Sequence, residues 1–428
     1  MTSDHEYARG LLVRGIAAAK ADEINSAQHF LERVLHAPAS HIQHLDALYW
    51  LSKINQDPVQ KRSLLEDILA SDPAHHRARR QLAILDGKLD PDDIINPDQY
   101  QNAASDEPIA ASSERFVCTT CGGRKIFSPD GSELVCEYCQ QSHNTPGGGK
   151  GIEEQNFIVG IATAKGHSQA VDMRSLECHG CGVIFLIQPK TISISCPHCD
   201  SVYAIDHTDM RKLVPPEGII PFSVNKEIAV RNISQWLKNI KAKSNPSLRG
   251  MNGVYLPVWT FDIGGQLPYS YVFQESQQQF RKEGIELVYF DDLPIPANTP
   301  RFKKYSELVN SFVLQDVQPY EPKFLANWPA ETYQITLASA ALEARRLAIS
   351  QLKNQIKRNL PDNAQLLKID TTKFFIETYK LILVPVWIGL VSMGNLQQEV
   401  LVSGQSGMVY GEHPQPSLTK LMNWLTGK

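Results

Sequence analysis

Apolar residues recur at helical spacing from residue 4 to residue 86. The pattern predicts helices near 5–20, 24–36, 41–54 and 58–70, then a shorter one near 74–86. Pro38 and Pro73 stand where the second and fourth would stop. The periodicity then vanishes, and residues 88–113, rich in Asp, Asn, Gln, Ser, Ala and Pro, predict a flexible linker. Short apolar runs cut by turn residues follow. Lys125-Ile-Phe and Glu133-Leu-Val flank Ser128-Pro-Asp-Gly131, and Ile184-Phe-Leu-Ile and Ile192-Ser-Ile-Ser flank Gln188-Pro-Lys, which predicts two hairpins. Phe157-Ile-Val-Gly-Ile-Ala, between them, predicts a short strand.

Residues 211–412 alternate helical and extended patterns. Ile233, Trp236, Leu237 and Ile240 share one helix face, and Val254 to Phe261 is extended by composition. Leu337, Ala341, Ala344, Ala348 and Leu352 then align on a helix near 338–358, closed by Pro361, before long strands at Thr371–Leu390 and Leu396–Val402. Leu256-Pro-Val-Trp259 matches Val384-Pro-Val-Trp387, so this region reads as an internally duplicated α+β domain with an antiparallel sheet. Pro257 and Pro385 cannot donate to a ladder, which predicts bulges or edges at both. Residues 413–428 carry a short amphipathic stretch, Leu418, Leu421, Met422, Trp424 and Leu425, and predict a docking helix.

The first 87 residues hold a repeat. Leu31-Glu-Arg-Val-Leu35 returns as Leu65-Glu-Asp-Ile-Leu69 after 34 positions. Residues 1–87 therefore resemble tetratricopeptide repeats, whose period this is, and the resemblance implies a small concave face for a protein partner. The histidines here, His29, His36, His41, His44, His75 and His76, lack ligand-spaced partners and read as solvated.

All eight cysteines lie in four Cys-x-x-Cys pairs: Cys118/Cys121, Cys136/Cys139, Cys178/Cys181 and Cys196/Cys199. Fourteen residues separate the pairs within each set, and the second set repeats the first sixty positions later. Two residues between cysteines allow a tight turn that points both thiolates at one ion, and Gly122 and Gly182 ease the backbone behind it. Each unit, residues 114–146 and 176–210 with a connector at 147–175, reads as a zinc ribbon with a closed four-thiolate site. The cofactors expected are two structural Zn2+ ions. His179 and His198 inside the second set read as bystanders. A redox Cys-x-x-Cys would need a βαβ setting that is absent, and iron–sulfur clusters usually show other spacings.

Charge and motifs narrow the function. Net charge is −4, and residues 114–144 and 176–207 of the two ribbons carry −1 and −2, so neither offers the several cations that phosphate binding needs. Nucleic acid is therefore a second reading, behind protein partners. Thr145-Pro-Gly-Gly-Gly-Lys-Gly151 lacks the Ser or Thr of a P-loop, and Gly404-Gln-Ser-Gly407 has Met408 where a nucleophile elbow needs glycine. An enzyme site in the C-terminal domain stands third, with no catalytic residue to name. The polar start Met1-Thr-Ser-Asp-His-Glu and the apolar run Leu381–Met393, too short to span and interrupted by Pro385, predict a cytoplasmic chain without a transmembrane segment.

Residues 114–412 resemble a bacterial TFIIB-type zinc-ribbon-containing family. The carriers are the ribbons, Pro221-Phe-Ser-Val, Gly253-Val-Tyr-Leu-Pro-Val-Trp, Phe324-Leu-Ala, Val384-Pro-Val-Trp and Ser403-Gly-Gln-Ser-Gly-Met-Val-Tyr-Gly-Glu412. Ser403, Ser406 and Met408 replace the family's usual Asn, Thr and Lys. Some relatives resemble YdjG-type accessory proteins of phage-shock and SPFH membrane-stress systems, and many continue into transmembrane helices. The resemblance implies an adaptor that joins a protein complex, with peripheral placement at the inner face of the plasma membrane, and carries over no catalytic residue.

Overall fold

The computed structural model of the chain describes residues 2–97, 113–115, 118–122, 125–127, 133–136, 138–144, 152–168, 174–177, 184–187, 191–195, 202–205, 214–239, 246–275, 278–298, 305–325, 328–331, 333–393 and 396–411. The amphipathic stretch predicted at 413–428 and the Gly-rich stretch at 145–151 lie outside them.

The N-terminal region is five helices: α1 (Thr2–Lys20), α2 (Ile24–His36), α3 (His41–Ile54), α4 (Pro58–Ser71) and α5 (His76–Leu85). Local chemistry sets their starts. Ser40 and Gln43 form a reciprocal capping box on α3, and Asp57 caps α4 with Pro58 in its first turn. His75, read from sequence as solvated, accepts the Ala78 amide through Nδ1 at 3.1 Å and so caps α5. The repeat is visible in burial: Leu31 and Val34, then Leu65 and Ile68, are all sealed from solvent.

The described start of the predicted linker is packed rather than free. Leu89 is buried beside Ala83 and Ala162, Ile94 bridges Thr163, and the Ile95 amide donates to the Ala162 carbonyl. Residues 157–162, expected from sequence as a strand, are helical. After strands β1 (Ser113–Arg115), β2 (Lys125–Phe127), β3 (Glu133–Cys136), β4 (Ser142–Asn144) and β5 (Gln155–Asn156), these residues form helix α6 (Phe157–Ala162). The Asn156 side chain accepts the Ile158 and Val159 amides, and that cap outweighs the strand preference of Phe, Ile and Val.

Further strands follow: β6 (Arg174–Glu177), β7 (Ile184–Ile187), β8 (Thr191–Ser195), β9 (Val202–Ile205) and β10 (Gly218–Ile219). Helix α7 (Lys226–Asn239) precedes the long strands β11 (Ser247–Glu275) and β12 (Gln278–Pro296). Helix α8 (Tyr305–Val309), strands β13 (Gln318–Pro319) and β14 (Ala330–Glu331), and helix α9 (Leu337–Asn359) come next. Strands β15 (Gln365–Ile369), β16 (Phe374–Met393), β17 (Leu396–Ser403) and β18 (Val409–Tyr410) close the order.

A mixed sheet of thirteen described strands dominates, with β11 and β16 paired at its centre. The predicted helix stripe holds: Leu337, Ala341, Ala344, Ala348 and Leu352 of α9 are buried, and the alanines let α9 lie close on Trp259, Phe261 and Leu381. On α7, Ile233 and Leu237 are buried, while Ile240 is outside the described residues.

Leu256 lies opposite Val384, so the two Pro-Val-Trp copies run antiparallel past each other about a local two-fold axis. The duplication reaches single hydrogen bonds. Trp259 Nε1 donates to the Ile335 carbonyl, just before the Thr336 cap of α9, at 2.9 Å. Trp387 Nε1 donates to the Val224 carbonyl, just before Asn225 at the head of α7, at 2.8 Å. The Ala297 carbonyl accepts the Gln334 and Ile335 amides, as the Gly404 carbonyl accepts those of Ser223 and Val224. Tyr333 and Phe222, two residues before each carbonyl that receives an indole, pack against the indoles at interplanar angles of 57° and 64°, with centroids 4.9 and 5.2 Å away.

Pro257 and Pro385 are at neither edges nor bulges, which corrects the sequence expectation; the register shifts in β11 and β16 fall at Leu248/Gly250, Phe261/Ile263, Asp262/Ile263 and Ser270/Val272. The Tyr255 amide points away from β16 to Pro329, and the Leu383 carbonyl points away from β11 to Ile220. Pro385 faces Tyr255 and Pro257 faces Leu383, so both prolines occupy non-hydrogen-bonded positions of the central ladder, where no N–H is needed. On its outer side each strand changes neighbours near its proline, from β14 to β12 near Pro257 and from β10 to β17 near Pro385.

The two ribbon regions differ. The first hairpin forms as predicted, β2 with β3, and β4 adds a third strand. In the second, β7 pairs with β6, and β8 pairs with β9 on one edge and β14 on the other. A strand has two edges, so none is left on β8 for the predicted β7–β8 hairpin. Through β8 and β9 this region is continuous with the large sheet, and β1 pairs with β9.

Candidate metal centre

Two tight turns build the site. One joins Cys118 to Cys121 and the other Cys136 to Cys139, the second following directly from β3. In each, the residue after the second cysteine donates its amide to the carbonyl of the first: Gly122 to Cys118 and Gln140 to Cys136, both at 2.9 Å. Closing the turn this way drives that residue to positive φ, +72° at Gly122 and +55° at Gln140. Glycine adopts this conformation freely, and Gln140 does so under strain. The Cys136 amide donates to the Gln141 carbonyl, and Thr120 Oγ1 to Gln141 Oε1, which ties the turns together. Buried Leu134 of β3 packs in one cluster with Phe222, Phe324 and Leu325 and so anchors the hairpin on the large sheet.

The four sulfurs of Cys118, Cys121, Cys136 and Cys139 lie within 4.8 Å of one another. Cys118 Sγ is 3.6 Å from Cys139 Sγ, and Cys121 Sγ is 3.4 Å from Cys136 Sγ. A tetrahedral ion with metal–sulfur bonds of about 2.3 Å needs sulfurs about 3.8 Å apart, so the donors fit one metal ion. One thiol of each pair, Cys118 and Cys136, is buried, and Cys121 and Cys139 are exposed. The Cys139 amide draws the Cys136 thiol below its ordinary pKa, helped by the Tyr138 amide and the neighbouring thiols and opposed by burial. A bound metal would hold the two turns and the hairpin as one unit.

Cys178, Cys181, Cys196 and Cys199 lie outside the described residues, as do His179 and His198. The strands on either side of the second pair, β8 and β9, run antiparallel, as β3 and β4 do around Cys136 and Cys139.

The motif around Ser406 has a structural use. Gly404 to Gly407 form the hairpin turn between β17 and β18, and Gly407 has φ of +77°. Ser403 Oγ accepts the Gln405 and Ser406 amides. The Gln405 side chain accepts the Val313 amide and donates to the Val313 carbonyl and Asp316, while the Gly407 carbonyl accepts from Asn232. The turn clasps the 3-10 turn Leu314–Asp316 with Val313 before it, and α7. Sequence reading missed Gln405 because its partners lie about ninety residues away. Among the described residues no helix is long and apolar enough to cross a membrane.

No protein-family model matches the chain, and no solved structure matches it. The chain is similar to the uncharacterized protein YdjG of Bacillus subtilis (strain 168), with 21% identity over 235 residues, covering 50% of this chain and 67% of that protein.

Proposed function

We propose that this protein is a non-catalytic zinc-binding adaptor that assembles a protein complex. In this reading Cys118, Cys121, Cys136 and Cys139 hold one structural zinc ion, and Cys178, Cys181, Cys196 and Cys199, at the same spacing, hold a second. Four thiolates fill a tetrahedral shell and leave no position for substrate. The five N-terminal helices act as a tetratricopeptide-like binding face.

A groove among α2, α3 and α4 carries this reading. It encloses about 560 Å³, with an apolar floor including Leu35, Leu51, Ile54 and Leu64 and amide side chains such as Gln28 and Gln60. Apolar floor and amide rim together suit a peptide segment, which offers both side chains and backbone hydrogen bonds. The resemblance to YdjG-type proteins suggests a membrane-stress complex as the setting, with the chain peripheral to the membrane.

Ile54→Glu tests this directly. Crosslinking in the source cell followed by mass spectrometry identifies a partner through the α2–α4 groove, and Ile54→Glu loses that crosslink without losing helix content. A partner held equally well by the variant sinks the groove reading. Nucleic-acid binding has one observation in its favour: Tyr138, beside Cys139, is 79% exposed and offers a stacking face. Fluorescence anisotropy with DNA and RNA separates the two. Sub-micromolar binding with a steep salt slope, lost on Tyr138→Ala, would favour nucleic acid.

A further inference from the structure

Residues 152–166 close a cavity against the large sheet. β5 pairs with β16 at Thr378 and Tyr379, and α6 lies over Tyr379. The cavity encloses about 490 Å³. Glu217 and Tyr379 line its inner end, Val159 and Val214 its apolar wall, and the exposed Asp93 and Lys165 its rim.

Two inner groups keep hydrogen-bonding capacity toward the cavity. Tyr379 is 5% exposed, and among the described residues its hydroxyl makes no hydrogen bond. That hydroxyl reaches Gly160, where an added Cβ would come within 2.6 Å of it, so α6 seats here only because residue 160 has no side chain. The Glu217 carboxylate accepts the Leu381 amide through Oε2 at 2.7 Å, and among the described residues no cation pairs with it. Lys380 is nearby but committed, at 3.1 Å from Glu154 and 2.8 Å from Asp292. Burial pushes Glu217 up to about 8, against the Leu381 amide, its own backbone amide and the charges of Lys380 and Lys165. A half-buried carboxyl with no ion pair among the described residues and a hydroxyl with no hydrogen bond among them thus face one cavity.

We propose that this cavity binds a small molecule through a primary ammonium group, which pairs with the Glu217 carboxylate and donates a second hydrogen bond to the Tyr379 hydroxyl. The floor decides the charge of the ligand. An anion placed there would meet the Glu217 carboxylate, whereas the exposed Asp90 and Asp93 stand at the rim. At the rim Lys88 and Lys165 balance those two aspartates, so the mouth favours neither sign and admits a polar tail. The apolar wall suits a short aliphatic stem. This site is separate from the cysteine cluster and from the helical groove, so it stands or falls independently of the adaptor reading.

Butylamine is the probe. Calorimetric titration of the full chain at about pH 7 and about pH 9, with butylamine protonated at both, reads the state of Glu217. The ionised fraction rises from roughly a tenth to nine-tenths across that range, so affinity rises roughly tenfold. At pH 7 the reaction releases close to one proton per amine, seen as a dependence of the heat on the buffer. Glu217→Gln, which keeps the acceptor for Leu381, abolishes the rise and weakens binding at pH 9 at least tenfold. Tyr379→Phe weakens binding several-fold and keeps the rise. The rim groups and Lys380 are present in every variant, so a rise that survives Glu217→Gln assigns the effect to them and overturns the proposal. Absence of butylamine binding at millimolar concentration, or butyrate binding with proton uptake, also overturns it.

Discussion

The two cysteine turns make opposite predictions for one chemical change. Gly122 and Gln140 hold equivalent places, with φ of +72° and +55° and the same 2.9 Å bond to the first cysteine of the pair. Holding a side-chain-bearing residue at positive φ costs roughly 1–2 kcal/mol. Replacing glycine by alanine also returns about 0.4–1 kcal/mol by restricting the unfolded chain. At Gly122 an added Cβ meets nothing within 4 Å, so sterics add no further cost. Gly122→Ala is therefore expected to destabilise the metal-loaded hairpin by about 1 kcal/mol net, and Gln140→Gly to leave it unchanged or stabilise it by up to about 1 kcal/mol. Folding and metal binding are linked, so chelator competition reads these energies as zinc affinity. Gly122→Ala should weaken binding about three- to tenfold, and Gln140→Gly should tighten it up to about fivefold. Gln140→Gly weakening binding as much as Gly122→Ala would refute the reasoning, because the Gln140 side chain would then be worth more than its strain.

Three further predictions follow from the large domain. Trp259→Phe and Trp387→Phe each remove an indole hydrogen bond and part of a buried ring, so urea unfolding should show a loss of about 2–3 kcal/mol in each, nearly equal because the sites are related by the local two-fold. Glu217 is raised to about 8 in the folded chain, so the native state holds its proton where the unfolded chain releases it. Stability relative to Glu217→Gln should fall by a few kcal/mol from about pH 4.5 to about pH 8 and level off above; a difference that is flat with pH contradicts the burial of this group. Gln405→Ala should cost about 1–2 kcal/mol through the lost clasp on Val313 and Asp316, whereas exposed Ser406→Ala should change neither thermal stability nor zinc content.

What could be read from the sequence was what repeats or what is local. The α9 stripe, the extended strands that carry Pro-Val-Trp, the adjacency of β16 and β17 and the Gly404–Gly407 turn follow from periodicity and turn chemistry, and the structure places them as expected. Cys118, Cys121, Cys136 and Cys139 lie together, and their pairs could be picked out because Cys-x-x-Cys spacing is itself a local geometry. The errors came from competition that single segments do not reveal. Phe157–Ala162 has strand composition, but Asn156 supplies two cap bonds and the sheet below offers Tyr379 as a seat. The β7–β8 hairpin failed because a remote strand, β14, took the second edge of β8. Pro257 and Pro385 sit in central strands because the ladder alternates bonded and non-bonded positions, and only pairing shows which they occupy. Glu217 and Tyr379 lie 162 positions apart, so no spacing rule could join them.

Native mass spectrometry of the full chain, with metal analysis on the same sample, tests the metal assignment most directly. The account predicts two zinc ions per chain, falling to one when Cys118 and Cys136 are both replaced by serine, with the helical content unchanged. Two ions still bound to that variant, or absorbance from an iron–sulfur cluster in the parent chain, would contradict it.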